Sequence, residues 1–209
     1  RHPSVVLPVS AVPTVAIDIV VAGPDHLAYA EEICTVIEEA AQARRTGIAK
    51  RDPAYVRKKM EDRRAVIALA QVEGHDRPVF AGFCYIEAWT HGKYVANSGL
   101  IVHPRFRKLG LARRIKRAIF DLSRERFPDA KIFGITTSLA VMKINADLGY
   151  RPVTFSELTQ DEVFWKGCQS CPNFDILTRT QRSMCLCTGM LFDSDDLDIL
   201  DPDEDGETG

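Results

Sequence analysis

Val102-His-Pro-Arg-Phe-Arg-Lys-Leu-Gly-Leu-Ala112 joins an apolar run, Leu100-Ile101-Val102, to a basic amphipathic helix. A strand that ends in such a turn aims several backbone N–H groups into one small space. The first helical turn adds its own unpaired N–H groups and the positive end of its dipole. Together these make a cradle for a phosphate or pyrophosphate. Gly110 lets the backbone come close to an anion because no side chain intervenes, and Ala112 keeps the helix entry small. Working outward, Leu111, Ile115, Ile119 and Leu122 form the buried stripe of a helix ending near Phe127-Pro128. Upstream, Val79–Trp89 and Tyr94–Val102 read as neighbouring strands, preceded by a strand over Ala65–Val72 and a turn over Gly74–Pro78. Downstream, a strand over Ile132–Thr136, a helix over Leu139–Leu148 and a strand over Arg151–Leu158 are expected. At the N-terminal side, a strand spans Val15–Val21 and a helix runs from His26 to Arg45 with Asp25 as its cap. A shorter helix begins at Pro53 with Asp52 as its cap.

Val102-x4-Arg107-x-x-Gly110-x-Ala112 resembles the acyl-CoA pyrophosphate loop of the GNAT superfamily of N-acetyltransferases. A second block, Met142-Lys-Ile-Asn-Ala-Asp-Leu-Gly-Tyr150, is similar to the family's later helix, which ends in Leu-Gly-aromatic. The resemblance covers residues 15–160 and implies an α/β (α+β) fold, a mixed β-sheet flanked by helices. Four regions follow: an N-terminal extension (1–14), a GNAT-like acyltransferase core (15–160), a Cys-rich segment completing the domain (161–192) and an acidic, disordered tail (193–209).

The resemblance implies an enzyme that uses acetyl-CoA as cosubstrate. Acyl-CoA would lie between the strands ending at Val102 and near Thr136, its diphosphate held by Arg107, Lys108, Leu109, Gly110, Leu111, Ala112 and Arg113. Main-chain groups at Val102 would hold the pantetheine arm as an added strand, and an N–H there would polarise the thioester carbonyl. Many members carry a tyrosine acid five residues before the closing aromatic; Asn145 stands there, a cofactor contact that cannot donate a proton as an acid does. Some members carry a glutamate base six residues before the loop valine; Ala96 stands there. Tyr94 and Ser98 share the face of Ala96 by strand alternation and are candidates to order a water. Glu87, on the adjacent strand, is the leading candidate for proton relay, ahead of His91 and His103. The acceptor pocket of the family comes from the loop between the first two helices and from the last two strands. Arg44-Arg45-Thr46-Gly47-Ile48-Ala49-Lys50-Arg51 occupies that loop, and its cations suit an acceptor carboxylate or simply oppose a helix dipole.

Six cysteines divide into two lone apolar positions, Cys34 and Cys84, and a cluster, Cys168-x-x-Cys171 and Cys185-x-Cys187. The cluster fits a structural tetrathiolate Zn2+ site, a disulfide pair or plain packing. The Cys-rich ending also resembles bacterial GNAT proteins associated with arginine biosynthesis, which implies the α-amine of glutamate as an acceptor. A non-catalytic acyl-CoA-binding or zinc-stabilised module is the competing class.

Net charge of −2 hides an asymmetry: residues 193–209 hold nine acidic residues and no basic one, and the rest carries 27 basic and 20 acidic residues. A basic body suits an anionic ligand. Sparse aromatic interleaving argues against nucleic acid. The uncharged stretch Pro3–Ile17 is broken by Pro8 and Pro13 and is too short to span a bilayer, and no signal peptide is expected from it. The expected partner is a small-molecule amine, without nucleic acid or membrane, in a cytoplasmic setting; a homodimer is compatible with the sequence.

Overall fold

The computed structural model describes residues 16–44 and 50–200. One seven-stranded sheet runs in the order β1-β2-β3-β4-β5-β7-β6. Its strands are β1 (Ile17–Val21), β2 (Ala65–Ala70), β3 (Val79–Trp89), β4 (Tyr94–Val102), β5 (Lys131–Thr136), β6 (Arg151–Val153) and β7 (Thr188–Phe192). Among the described strands only the β4–β5 pairing is parallel. The helices are α1 (Ala30–Arg44), α2 (Pro53–Glu61), α3 (Leu111–Arg126), α4 (Leu139–Asp147), α5 (Glu162–Lys166), α6 (Phe174–Arg179) and α7 (Asp195–Leu200).

Strand alternation divides the apolar residues between two faces. On one face α3 lays Leu111, Ile115, Ile119, Phe120 and Leu122 against Val66, Ala81, Cys84, Ile86, Val95 and Ile132, and Met142 and Leu148 of the α4 region close that layer. The other face is covered in two parts. Ile33, Val36 and Ile37 of α1 and Val56 and Met60 of α2 pack on Ile67, Phe80, Phe83 and Tyr85. Phe155, Leu158, Trp165 and Leu177, all from the segment between β6 and β7, pack on Ala96, Phe133 and Leu191. That segment therefore fills the part of the sheet that α1 and α2 leave bare.

Two irregularities open the sheet at its centre. Between the pairs Phe83↔Ile101 and Tyr85↔Ser98, β4 carries one residue more than β3, a bulge on β4. Gly99 sits in it at φ +66, and a Cβ there would meet the Tyr85 ring at 2.5 Å. Beyond the bulge β4 leaves β5. The two strands pair only over Tyr94–Ala96 and Lys131–Phe133, whereas β5 continues to Thr136 paired with β7. The result is a V-shaped cleft between residues 97–102 of β4 and the end of β5.

Several sequence expectations are corrected. Gly23, not Asp25, caps the first helical segment, which begins as a 3-10 turn over Pro24–Tyr29; the Gly23 N–H donates to His26 Nδ1 at 3.0 Å. The strand expected over Arg151–Leu158 stops at Val153 and gives way to a 3-10 turn at Phe155–Glu157, which places Phe155 and Leu158 in the core. The acidic run expected to lack structure starts with α7. Arg151 binds Asp196 at 2.7 Å and Lys131 binds Asp193 at 2.9 Å, so basic strand residues neutralise its first turn. The N-terminal extension, residues 45–49 of the cationic loop, and residues 201–209 lie outside the described residues.

Candidate active site

The loop between β4 and α3 is built from a tight succession of turns. His103 Nδ1 accepts the Arg105 N–H at 3.2 Å and starts a 3-10 turn over Pro104–Phe106. Phe106 is 2 % exposed and pins this turn to the core. Arg107 is extended, Lys108 is left-handed at φ +64, and Gly110 is left-handed at φ +71 as the N-cap of α3. The left-handed state costs an ordinary residue about 1–2 kcal/mol and glycine almost nothing. A Cβ at Gly110 would meet nothing within 4 Å. What this position demands of glycine is therefore its backbone conformation, with clear space above it for an anion. The first bond of the helix ladder runs from the Arg114 N–H to the Gly110 carbonyl at 3.3 Å, so the N–H groups of Leu111, Ala112 and Arg113 have no partner within the helix. Arg107, Lys108, Leu109 and Gly110 are all exposed around them. The Arg113 guanidinium is paired with Asp147 at the end of α4.

Asn145 of α4 is buried over Gly134 of β5, next to the cleft. It is 2 % exposed, its Nδ2 reaches Met190 Sδ at 3.8 Å, and its Oδ1 has no partner. A Cβ on Gly134 of β5 would lie 4.0 Å from its Nδ2, so the amide faces β5 where that strand leaves β4. A buried, unsatisfied carbonyl oxygen signals a missing donor. The pantetheine arm of coenzyme A is an amide chain that can supply an N–H. Together with the loop amides, this oxygen fits that cofactor.

Glu87 lies across the cleft's other face in a ring of side chains from β3 and α2. Its Oε1 accepts from the Tyr55 hydroxyl and its Oε2 from Lys59 Nζ at 3.2 Å. Lys59 also donates to the Ile86 carbonyl at 2.8 Å and stands over the Tyr55 and Tyr85 rings at 5.2 and 5.6 Å. Arg51 Nε donates to the Tyr85 hydroxyl at 2.7 Å. Burial pushes the Tyr85 phenol up to about 12; burial, then the Glu87 carboxylate, raises that of Tyr55. Both are hydrogen-bond donors at neutral pH. Pairing sets Glu87 opposite Ala96 and Tyr85 opposite Ser98, so Glu87, Tyr85 and Ser98 share a face beside the bulge. Tyr94 is brought elsewhere. It pairs with Trp89 and Lys131 at the closed end of the strands, its ring edge-on to Phe133. Ala96 is covered between these groups. Tyr94 and Ser98 therefore do not meet around a shared water site. His91 belongs to the β3–β4 turn at that same closed end, and His103 packs against Phe80 and Phe106.

The four clustered thiols are free and half-buried. The Asn173 peptide lies between the two pairs: its N–H donates to Cys171 Sγ at 3.5 Å, and its carbonyl accepts from Cys185 at 3.9 Å. The Cys185 and Cys187 side chains are hydrogen-bonded; burial, then its neighbouring sulfurs, pushes the Cys187 thiol up to about 11. Both residues precede β7 instead of lying on it, so strand alternation does not aim their sulfurs at a common point. Among the described residues no group of three or more His, Cys, Asp or Glu side chains is disposed to hold a metal ion.

Sequence reasoning missed Tyr55, Lys59 and Tyr85 around Glu87. Tyr55 and Lys59 are four apart on α2 and share a helical face, which is the one local signal they carry.

Comparison with known proteins matches residues 30–143 to the acetyltransferase (GNAT) family. Thialysine N-epsilon-acetyltransferase of Caenorhabditis elegans is 26% identical over 145 residues, which are 69% of this chain and 86% of that protein. Rv2747 of Mycobacterium tuberculosis, solved with CoA, superposes with TM-score 0.57 at 13% identity over 84% of this chain and 98% of its own. The yncA protein of Salmonella typhimurium, a putative acetyltransferase solved with acetyl-CoA, gives TM-score 0.55 at 15% identity over 93% and 99%. N-acetylglutamate synthase of Neisseria gonorrhoeae gives 0.55 at 13% identity over 85% of this chain, which spans 35% of that protein. Among the described residues no helix is long and apolar enough to cross a membrane. With the loop, the splayed strands and the family match in place, the chain belongs to the acetyltransferase (GNAT) family and is an acetyl-CoA-dependent acyltransferase.

Proposed function

We propose that the chain acetylates the amine of a small molecule bearing a carboxylate, an amino acid of the glutamate class. The observation that carries this is the placement of Arg51 and Lys59 on the tyrosines beside the β4 bulge. Cations and phenol donors at the acceptor end suit a carboxylate, with arginine able to grip it through two parallel bonds. Two relatives act on amino acids or their analogues by name, which supports an amino-acid acceptor. Main-chain N–H groups of β4 beyond Ala96 polarise the thioester carbonyl, and the cleft holds amine and thioester together. Glu87 accepts the ammonium proton through water, and Tyr55 and Lys59 hold its carboxylate in place. The amine nitrogen bonds to the carbonyl carbon, and the carbon–sulfur bond breaks as the electron pair leaves with sulfur.

The thiol cluster enters as a support for the acceptor wall. Cys168, Cys171, Cys185 and Cys187 are free thiols, of which Cys171 and Cys185 flank the Asn173 peptide, and a zinc ion that drew all four together would staple a segment whose helices, α5 and α6, are too short to stand alone. Metal analysis of protein purified without chelator tests this, with one zinc per chain expected and none contradicting it.

Release of CoA thiol from acetyl-CoA across a panel of amino acids and their decarboxylated amines tests the acceptor. Turnover with glutamate-class amino acids and not with the amines is expected. A preference for the amines would contradict the carboxylate reading. Arg51→Ala should raise KM for the acceptor about tenfold and leave KM for acetyl-CoA unchanged.

A further inference from the structure

The buried face of α3 carries one charge. Lys116 falls between Ile115 and Ile119 and is 4 % exposed. Its ammonium donates to Asn97 Oδ1 at 3.2 Å and stands 5.1 Å from the centre of the Tyr150 ring. Asn97 Oδ1 also accepts from the Tyr150 hydroxyl at 3.4 Å, and Asn97 Nδ2 donates to Ser123 Oγ at 2.8 Å. The Ser123 hydroxyl in turn donates to the Ile119 carbonyl at 2.7 Å. Around the ammonium stand Cys84 of β3, Asn97 of β4, Ser123 of α3 and Tyr150 after α4. None is an acid. Burial pushes the Cys84 thiol up to about 12 and raises the Tyr150 phenol, so both are neutral. Burial likewise pulls Lys116 down to about 8. A buried ammonium without a counter-ion is costly, and a well-packed apolar residue would serve stability better.

Its place in the fold gives the charge a task. Asn97 is the first β4 residue beyond the last β4–β5 pair, Ala96↔Phe133, so Lys116 is tethered at the fork of the cleft. Acetyl transfer places negative charge in that cleft, first on the carbonyl oxygen and then on sulfur. The helix that follows β5 offers Asn145 there, and its carboxylate, Asp147, is exposed and paired with Arg113. We propose that Lys116, held by Asn97, is a positioning residue that stabilises the departing CoA thiolate by its charge instead of by a proton. This rests on the acetyl-transfer reading. The carbon–sulfur bond breaks to give a thiolate, the amine proton goes to water or Glu87, and the sulfur takes its proton from solvent on release. A fixed cation in a water-poor site acts far more strongly than one in water.

Binding of CoA, followed by the ultraviolet absorbance of its thiolate across pH, reads the claim without turnover. The thiol of bound CoA should titrate at least one pH unit lower on the wild type than on Lys116→Met or Asn97→Leu. Lys116→Met should fold with equal or higher melting temperature, lower kcat ten- to a hundredfold and leave KM for acetyl-CoA unchanged. In the wild type kcat should fall as pH rises through about 8, where the ammonium loses its proton, and the variant should lack that limb. Asn97→Leu keeps the reading available should Lys116→Met not fold. An unshifted thiol in the wild type, or a Lys116→Met enzyme with full kcat, overturns the proposal. A wild type that binds CoA with a lowered thiol pKa and acetylates no amine would instead overturn the transfer reading and leave the electrostatic one standing.

Discussion

The loop between β4 and α3 and the segment between β6 and β7 build their surfaces by different physics. Residues 103–113 present backbone: two left-handed residues, an extended arginine and a helix start leave N–H groups pointing outward. Residues 154–187 present side chains: Phe155, Leu158, Trp165 and Leu177 cover Phe133 and Leu191, and the thiols of Cys171 and Cys185 flank one peptide. A backbone device needs few residue types at fixed spacing, so one glycine and one small neighbour reveal it. A side-chain device depends on what it lands against, and spacing alone leaves several outcomes open.

This contrast can be broken at its hinge first. Gly99→Val puts a branched side chain at φ +66 and into the Tyr85 ring. It should lower kcat/KM about a hundredfold, a loss of roughly 2.7 kcal/mol in transition-state stabilisation, as β4 loses its bulge. Wild-type kinetics in that variant would show that the cleft does not depend on it. Trp165→Ala tests the side-chain region. Trp165 is 2 % exposed, and its indole N–H donates to the Thr159 carbonyl at 2.9 Å. Removing it should cost about 3–5 kcal/mol of local stability, read as faster amide exchange over 154–187 with CoA binding retained. Exchange rising equally in the cofactor loop would join the two regions. Smallest is Asp147→Asn, which unties Arg113. Both side chains are more than half exposed, so stability should change by no more than about 0.5 kcal/mol, and CoA affinity should hold or rise slightly as Arg113 is released toward the phosphates.

The same contrast explains what could be read in advance. Val79–Trp89 and Tyr94–Val102 were legible to the residue because their apolar runs are long and bounded by turn residues. β7 was hidden: Thr188-Gly-Met-Leu-Phe192 is a short run following Cys187, and its insertion between β5 and β6 is a tertiary choice. The strand expected after Gly149-Tyr150 was overlong because Phe155 and Leu158 look like strand residues while they anchor a 3-10 turn. In the site, Gly110 and Asn145 stood out against a family pattern. Lys116 did not, since a lysine in a helix rich in basic residues reads as solvent-facing. Only packing shows that it points inward, one position from Ile115. Glu87 was legible as a carboxylate on a central strand, but its partners arrive from α2, 28 and 32 residues away in the chain.

The central claim is that main-chain amides at the start of α3 hold the diphosphate of an acyl-CoA. Titration calorimetry of CoA and of dephosphorylated pantetheine on the wild type and on Gly110→Val tests it most directly. Gly110 is left-handed and open, so valine should shift the loop and weaken CoA at least tenfold while leaving pantetheine binding as it was. Equal CoA affinity in the two proteins would contradict the account.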